Sequence, residues 1–440
     1  MKKMDSNSFF SHKTKAGIVF INLIAAFALI TFSVLFKSDL GFKIAVSIGD
    51  LRYIEHALEL KHQFYFEPLT NSINPPAYPF TLFAFSFFFK FSSTNIIVFQ
   101  WLLLTFALTI LSIELFLKFQ SYYLLFSIYL FTYFNPIFNQ VNDGGVFPEF
   151  FTSIILFFVI AIWLRYLRLK GMCSLILLST VSTFLMLTRY EFIILIGFIF
   201  IDMVKMKLYK HSSIYLVIPI IFISLNGIKN YIIFNEFKLL SYSTNETKFW
   251  SVTSDGSWHS IDSSNANQFI PSKYLNQFVL INSDSNIVKV IKQKDQLYQK
   301  MYIDEWVNNF PRIIKMIPCK FMKLFVPPPS IDIYTCCPEP KCLLKIKSYF
   351  TNGDGFEGQN KFNIVIAFVF HFILFLLTII SVYFNWSSLI MDPFFRFVIV
   401  NSLLLIFIFY GLSRFCFNFY PIFILIQSLC FVKHKRVIIN

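Results

Sequence analysis

Charge is what this sequence has little of. Asp, Glu, Lys and Arg make up 14% of its 440 residues, against about 25% in an ordinary soluble domain. Apolar residues reach 56% and aromatic residues 20%, above the roughly 45–50% apolar content of soluble folds. Several runs approach or exceed the ~18–20 apolar residues that cross a bilayer. A soluble globular protein is therefore excluded, and an all-α polytopic membrane protein is expected. The sequence also lacks a glycine-rich phosphate loop of Walker type, an Asp-x-Asp pair and any cluster with metal-ligand spacing. Its first apolar run, "GIVFINLIAAFALITFSVLF" from Gly17, has no A-x-A-like cleavage site and is a full span long, which reads as a retained anchor rather than a cleaved signal. No internal repeat is present. Seven cysteines occur. Cys319, Cys336, Cys337 and Cys342 share one stretch, where "CCPEPKC" has no partnering histidine, so zinc is disfavoured and a disulfide stays open. Cys173, Cys416 and Cys430 read as core or helix-end residues.

The net charge of +14 would suggest nucleic acid in a soluble chain. Here the positives sit in short flanks beside apolar runs: Lys2, Lys3, Lys13 and Lys15; Arg165, Arg168 and Lys170; Lys205, Lys207 and Lys210; Lys433, Lys435 and Arg436. Such flanks mark cytoplasmic loops, and no nucleic-acid partner is expected. Placing them all inside threads the chain. The first helix goes out, and residues 37–76 form a first outer loop. Helices over about 148–166, 172–188, 191–204 and 213–234 then run in, out, in and out. Residues 235–362 form one large outer segment, and runs at about 363–384, 394–412 and 418–432 go in, out and in. Both termini are then cytoplasmic. Three apolar runs lie between residues 77 and 139, where an even number of crossings is required. One of them is expected to be partial or re-entrant, which is tolerated when buried in protein. The organisation is a module over 1–234, the outer segment over 235–362 and C-terminal helices over 363–440, with about 10–11 spans in all.

A segment as long as 235–362 exceeds an ordinary loop. Its second half, "QLYQKMYIDEWVNNFPRIIKMIPCKFMKLF", has an amphipathic helical pattern interrupted by Pro311 and Pro318, and is expected to lie along the membrane surface. "SDSN" at Ser283 and "TNGDG" at Thr351 read as solvated turns.

Ionisable groups at membrane depth are costly unless paired or functional. The threading brings Asp50, Arg52, Glu55 and His56, Asp143 and Glu149, Arg189 and Glu191, and Arg414 to the outer face. Taken singly, each has a structural reading. Asp50 caps the helix that "LRYIEHALEL" begins. Arg189 and Glu191 anchor a helix end, and Arg414 snorkels. Their convergence from four separate stretches points instead to a site.

Four patches, in chain order, resemble one family. "GDLRYIEHALEL" with "NPPAYP" is similar to the first outer loop of the GT-C class of polyprenyl-phosphate-sugar-dependent membrane glycosyltransferases, the group of protein O-mannosyltransferases and aminoarabinose transferases. "NPIFNQVNDGGVFPEFF" resembles the second outer loop, where an acid begins a helix. "LMLTRYEFII" looks like the Thr-Arg-Pro-Glu junction, with Tyr190 where proline is usual. "LSRFCFNFYPIFIL" resembles the late Arg-Tyr-x-x-Pro stretch, with Phe415 for tyrosine and a longer gap to Pro421. The likeness covers roughly residues 15–200 and 300–430, and 235–300 lies outside it.

The resemblance implies a GT-C-like bundle with amphipathic helices in the first outer loop. It implies an inverting transfer of sugar from a polyprenyl-phosphate donor to a lipid, glycan or protein acceptor, on the periplasmic side of a bacterial inner membrane. Such chemistry needs a carboxylate base, fixed cations at the phosphate leaving group and an apolar groove for the lipid tail. The implied catalytic acids are Asp50, as base, and Glu149, which positions the acceptor or tunes Asp50. Arg189 and Arg414 are implied phosphate binders, with Glu191 beside them. Arg52, Tyr53, His56 and Tyr78 line the pocket or merely pack. A lipid-linked donor accounts for the missing nucleotide site, while a divalent metal stays open. Two alternatives remain. One is an O-antigen-type polymerase or ligase, which places arginines in its large loops. The other is a lipid-linked-sugar flippase or transporter, which places charges at the midplane of interrupted helices in related halves.

Overall fold

The computed structural model describes residues 17–25, 27, 53–54, 57–58, 60, 75–89, 93–133, 135, 148–239, 242, 244–253, 266–325, 361–408 and 419–431. Among these residues the regular structure is helical, with no strand. Hydrocarbon offers no partner for backbone amides, so apolar runs satisfy them internally as helices. The first run is helical over residues 17–25. It is followed by α1 (Ala77–Ser86), α2 (Ser93–Phe119), α3 (Tyr122–Tyr133), α4 (Pro148–Leu169) and α5 (Met172–Thr188). A 3-10 turn over Tyr190–Phe192 leads to α6 (Ile193–Lys205) and α7 (Tyr209–Phe234).

Among the described residues, four helices are long and apolar enough to cross a membrane: Asn95–Phe119, Pro148–Leu169, Tyr209–Phe234 and Phe372–Leu389. Tyr122–Tyr133, Met172–Thr188 and Pro393–Phe407 are apolar but shorter. Of the three runs between residues 77 and 139, only α2 has full length. With 10 residues, α1 rises ~15 Å, half of a ~30 Å hydrocarbon core.

Directions follow from side-chain pairs. Trp101 meets Phe150, Phe106 meets Phe158 and Arg168 binds Glu114. The numbers rise together, so α2 and α4 are parallel. A tight turn through Lys170 and Gly171 reverses the chain, and Phe184 of α5 returns to Phe151 at the start of α4. One end of the bundle thus holds the start of α4 and the end of α5. The other holds the end of α4 and the start of α7, where the Tyr166 hydroxyl lies 2.8 Å from Nδ1 of His211.

The described part of the segment expected to lie outside, here called the outer unit, is a folded helical unit. It contains α8 (Thr244–Val252), α9 (Ala266–Phe269), α10 (Ser272–Asn282) and α11 (Ile287–Phe325). Phe249, Trp250, Phe278 and Tyr298 are buried together at its centre. Polar composition concealed this core, because its apolar residues are spaced among Ser, Asn and Lys. The expected turn at Ser283 is present: Asp284 accepts from the Asn286 amide at 2.9 Å. The expected amphipathic helix is also present but starts earlier, at Ile287, and continues through both prolines. Its break falls at Asn309, with φ −125° and ψ 24°. Pro311 removes an amide donor and crowds the preceding turn, so the distortion sits just upstream of the ring.

After α12 (Lys361–Leu389) and α13 (Pro393–Phe407) comes α14 (Tyr420–Ser428), ending in a 3-10 turn, Leu429–Phe431. Asp392 caps α13, accepting from the amides of Phe394 and Phe395 at 2.9 and 3.2 Å. Ser381 donates to the Ile426 carbonyl, Gln427 reaches Thr378 and Leu374, and Cys430 reaches Leu377. These contacts join α14 to residues 374–381 of α12 through buried polar groups.

Candidate functional site

The site is built where α4 begins and α5 ends. Pro148 opens α4 at a position where its missing amide costs nothing. Glu149 follows in the first turn, where the helix dipole favours a negative charge. At the far end of α5, Arg189 leaves helical geometry for extended backbone, φ −154° and ψ 118°. That change of direction swings the guanidinium across to α4 and starts the short turn carrying Glu191.

Arg189 is held on two sides. Its Nη1 donates to Glu149 Oε1 at 3.2 Å, its Nε lies 3.2 Å from Glu191 Oε1, and its Nη2 donates to Glu191 Oε2 at 3.4 Å. The three side chains are 15%, 5% and 18% exposed for Arg189, Glu149 and Glu191. A largely desolvated arginine between two acids is a fixed cation with a preset fork.

An aromatic wall adjoins this cluster. Tyr78 of α1 is buried, with its ring centroid 5.2 Å from Phe151, two residues after Glu149. Tyr53 meets Tyr78 edge-on at 5.4 Å. Gln100 of α2 is also buried and donates to the Tyr78 hydroxyl at 3.0 Å. Five of the expected site residues, Tyr53, Tyr78, Glu149, Arg189 and Glu191, therefore gather at one end of the bundle. Asp50, Arg52, His56 and Arg414 lie outside the described residues, as do Glu55, Asp143, Cys336, Cys337, Cys342, Cys416 and the turn at Thr351, while the Cys319 backbone lies in α11. Gln100 was not singled out from sequence, since a lone glutamine in an apolar run carries no pattern.

A second charged layer occupies the opposite end. Arg168 grips Glu114 with two nitrogens, Nη2 at 2.8 Å from Oε1 and Nε at 3.0 Å from Oε2. Arg396 of α13 binds Asp202 of α6 and lies 5.0 Å from the Phe198 ring. Asp392, at the start of α13, adds a carboxyl that burial pushes up to about 6. These partners are 54 and 194 residues apart in the chain, so only the fold joins them.

Between the two layers runs a polar seam. Asn22, fully buried in the first run, donates to Tyr129 at 2.8 Å, and Tyr133 lies 3.5 Å from both Asn22 and Thr105. Among the described residues no group of three or more His, Cys, Asp or Glu side chains could hold a metal ion. Compared with known proteins, the chain matches no family model, no curated protein and no solved structure.

Proposed function

We propose that this chain is a membrane glycosyltransferase that moves a sugar from a polyprenyl-phosphate donor to a lipid, glycan or protein acceptor. In this reading it is a GT-C-like bundle of about 10–11 spans. Its termini are cytoplasmic and its site faces the periplasm of a bacterial inner membrane. The short α1 is the run that does not cross. The observation that carries the reading is the placing of Arg189 between Glu149 and Glu191, beside Tyr78 and Tyr53. Three of the four patches that resemble the family meet there, although they are distant in the chain.

The roles follow from chemistry. Asp50 takes the proton from the acceptor hydroxyl or amine. Arg189, with Arg414, holds the departing phosphate, which gains charge as the glycosidic bond breaks. In the resting site Glu149 and Glu191 keep the Arg189 fork oriented. The bound phosphate replaces one of them, and the released carboxylate is then free to orient the acceptor. Arg52 and His56 line the donor pocket in this reading.

The test is transfer from a labelled polyprenyl-phosphate sugar by purified full-length protein in vesicles. Asp50→Asn should insert normally and lose transfer by about 10²–10⁴-fold. Wild-type rates in that variant would end the assignment. The second reading, a lipid-linked-sugar flippase, draws on the polar seam at Asn22, Tyr129 and Tyr133. It predicts that donor crosses the bilayer with its sugar still attached, and that Asn22→Leu stops this while Asp50→Asn does not.

A further inference from the structure

Helix α11 is apolar on two sides. Leu297, Tyr298, Met301, Ile313 and Met316 are buried, and the helix packs along α8 and α10. On the roughly opposite side, by the 3.6-residue turn, Ile303, Val307, Phe310, Ile314 and Phe321 are 51%, 74%, 52%, 41% and 48% exposed. Their spacing puts Ile303 and Val307 on one face before the break at Asn309, and Phe310, Ile314 and Phe321 on one face after it. A water-facing stripe of five large apolar side chains is not what a solvated loop domain presents.

The position of the helix says what covers the stripe. α11 touches both α7 and α13. Ser251, in the unit that α11 supports, donates to the Ile408 carbonyl at the end of α13, at 2.9 Å. These contacts seat α11 and its unit against the end of the membrane helices. Beyond the bundle's rim the material at that level is lipid. Charge agrees: α11 carries eight basic and three acidic residues. The acids are each engaged, Asp295 with Lys238, Asp304 with Lys273 and Glu305 with Arg312. Lys300 and Lys315, beside the stripe, are exposed.

We infer that the stripe Ile303, Val307, Phe310, Ile314 and Phe321 is seated in the headgroup–acyl boundary of the outer leaflet, with the lysines on anionic phospholipid. Sequence pattern alone marks α11 as amphipathic but does not choose its face. The stronger apolar face closes the core of the outer unit, and the second one meets the membrane. That fixes the height of the outer unit over the bilayer. The inference does not depend on the transfer reading.

The experiment puts a benzophenone amino acid at position 307 or 310 of the full chain, in vesicles of phosphatidylglycerol and phosphatidylethanolamine. Phe106, 59% exposed on α2, is the lipid-facing control, and Lys289, with its side chain 56% exposed, is the aqueous one. After irradiation, mass spectrometry should find lipid adducts at 307 and 310 as at 106, and none at 289. Replacing phosphatidylglycerol by phosphatidylcholine should lower the adduct yield at 307 and leave that at 106 unchanged. A crosslinked dimer through 307 would overturn the inference in favour of a second copy. Adducts at 106 but none at 307 or 310 would overturn it outright, and a yield indifferent to headgroup charge would remove the role given to the lysines.

Discussion

Arg189 lies between two carboxylates, and the strength of each tie can be worked from the geometry. Charges 3.2 Å apart attract by about 5 kcal/mol at an effective dielectric of about 20. Desolvation of the partners and repulsion between the two acids offset most of this. What survives depends on screening. The Glu149 side chain is 5% exposed and that of Glu191 is 18% exposed, so water weakens the second tie more. Double-mutant cycles should then give a coupling of about 2 kcal/mol for Arg189 with Glu149 and about 0.5–1 kcal/mol for Arg189 with Glu191. The cycles use Arg189→Met, Glu149→Gln, Glu191→Gln and the two double variants, with unfolding of full-length protein in mixed micelles followed by circular dichroism. Additive losses at Arg189 and Glu149 would refute the claim that the pair is a unit. Transfer provides the independent half. Under the proposed function, Arg189→Lys keeps the charge but loses the planar fork, so folding should hold while transfer falls about a hundredfold. If Lys transfers as well as Arg, the fork is not what holds the phosphate.

Other expectations are more local. Asp392 has its carboxyl raised by burial and by Asp202, against its two amide bonds and Lys118, to about 6 from an ordinary 3.8. An acid raised on folding contributes stability that is fully present below its unfolded value and lost as pH rises through its folded one, so stability should drop by about 1–3 kcal/mol between pH 4 and 6. Asp392→Asn keeps the cap and should flatten that profile; a profile unchanged by the substitution would remove Asp392 as its source. Trp250, fully buried between Phe249 and Phe269, should cost about 3–5 kcal/mol as Trp250→Ala. Proteolysis would then open the outer unit while the membrane helices stay protected, and equal resistance to the wild type would count against a separate core. A methyl at Gly227 would stand 2.8 Å from the tip of the Phe237 ring, but that ring is 61% exposed and can swing away. Gly227→Ala should thus stay within about 1 kcal/mol of the wild type, the helix gain offsetting the displacement; a larger loss in thermal unfolding would mean the ring is pinned.

Much of the helical framework was legible because apolar runs end at sharp chemical signals. α5 begins after Gly171 and stops at Arg189, and its expected and observed bounds coincide. α4 and α7 differ from expectation by three or four residues at one end, where Arg168 and His211 extend a helix past its apolar stretch. Partners were not legible. Nothing local distinguishes Glu114 in α2 from an error of burial until Arg168 is placed beside it. The outer unit was least legible. Its core residues follow neither a long run nor a simple repeat, and the beginning of α11, "IVKVIKQKD", is too polar to declare itself.

The second charged layer changes the argument for the site rather than weakening it. Along α4, Glu149 and Arg168 are separated by 19 residues, which is ~28 Å of helix. That is close to the ~30 Å of a hydrocarbon core. No ionisable side chain other than Tyr lies on α4 between Glu149 and Arg165. The two layers therefore sit where a bilayer would allow charge, one at each interface. The layer joining Glu114 to Arg168 and Asp202 to Arg396 ties together helices distant in the chain. At the opposite end one guanidinium, Arg189, meets both Glu149 and Glu191. Under the proposed function an arriving anion displaces one carboxylate while the other keeps Arg189 aimed.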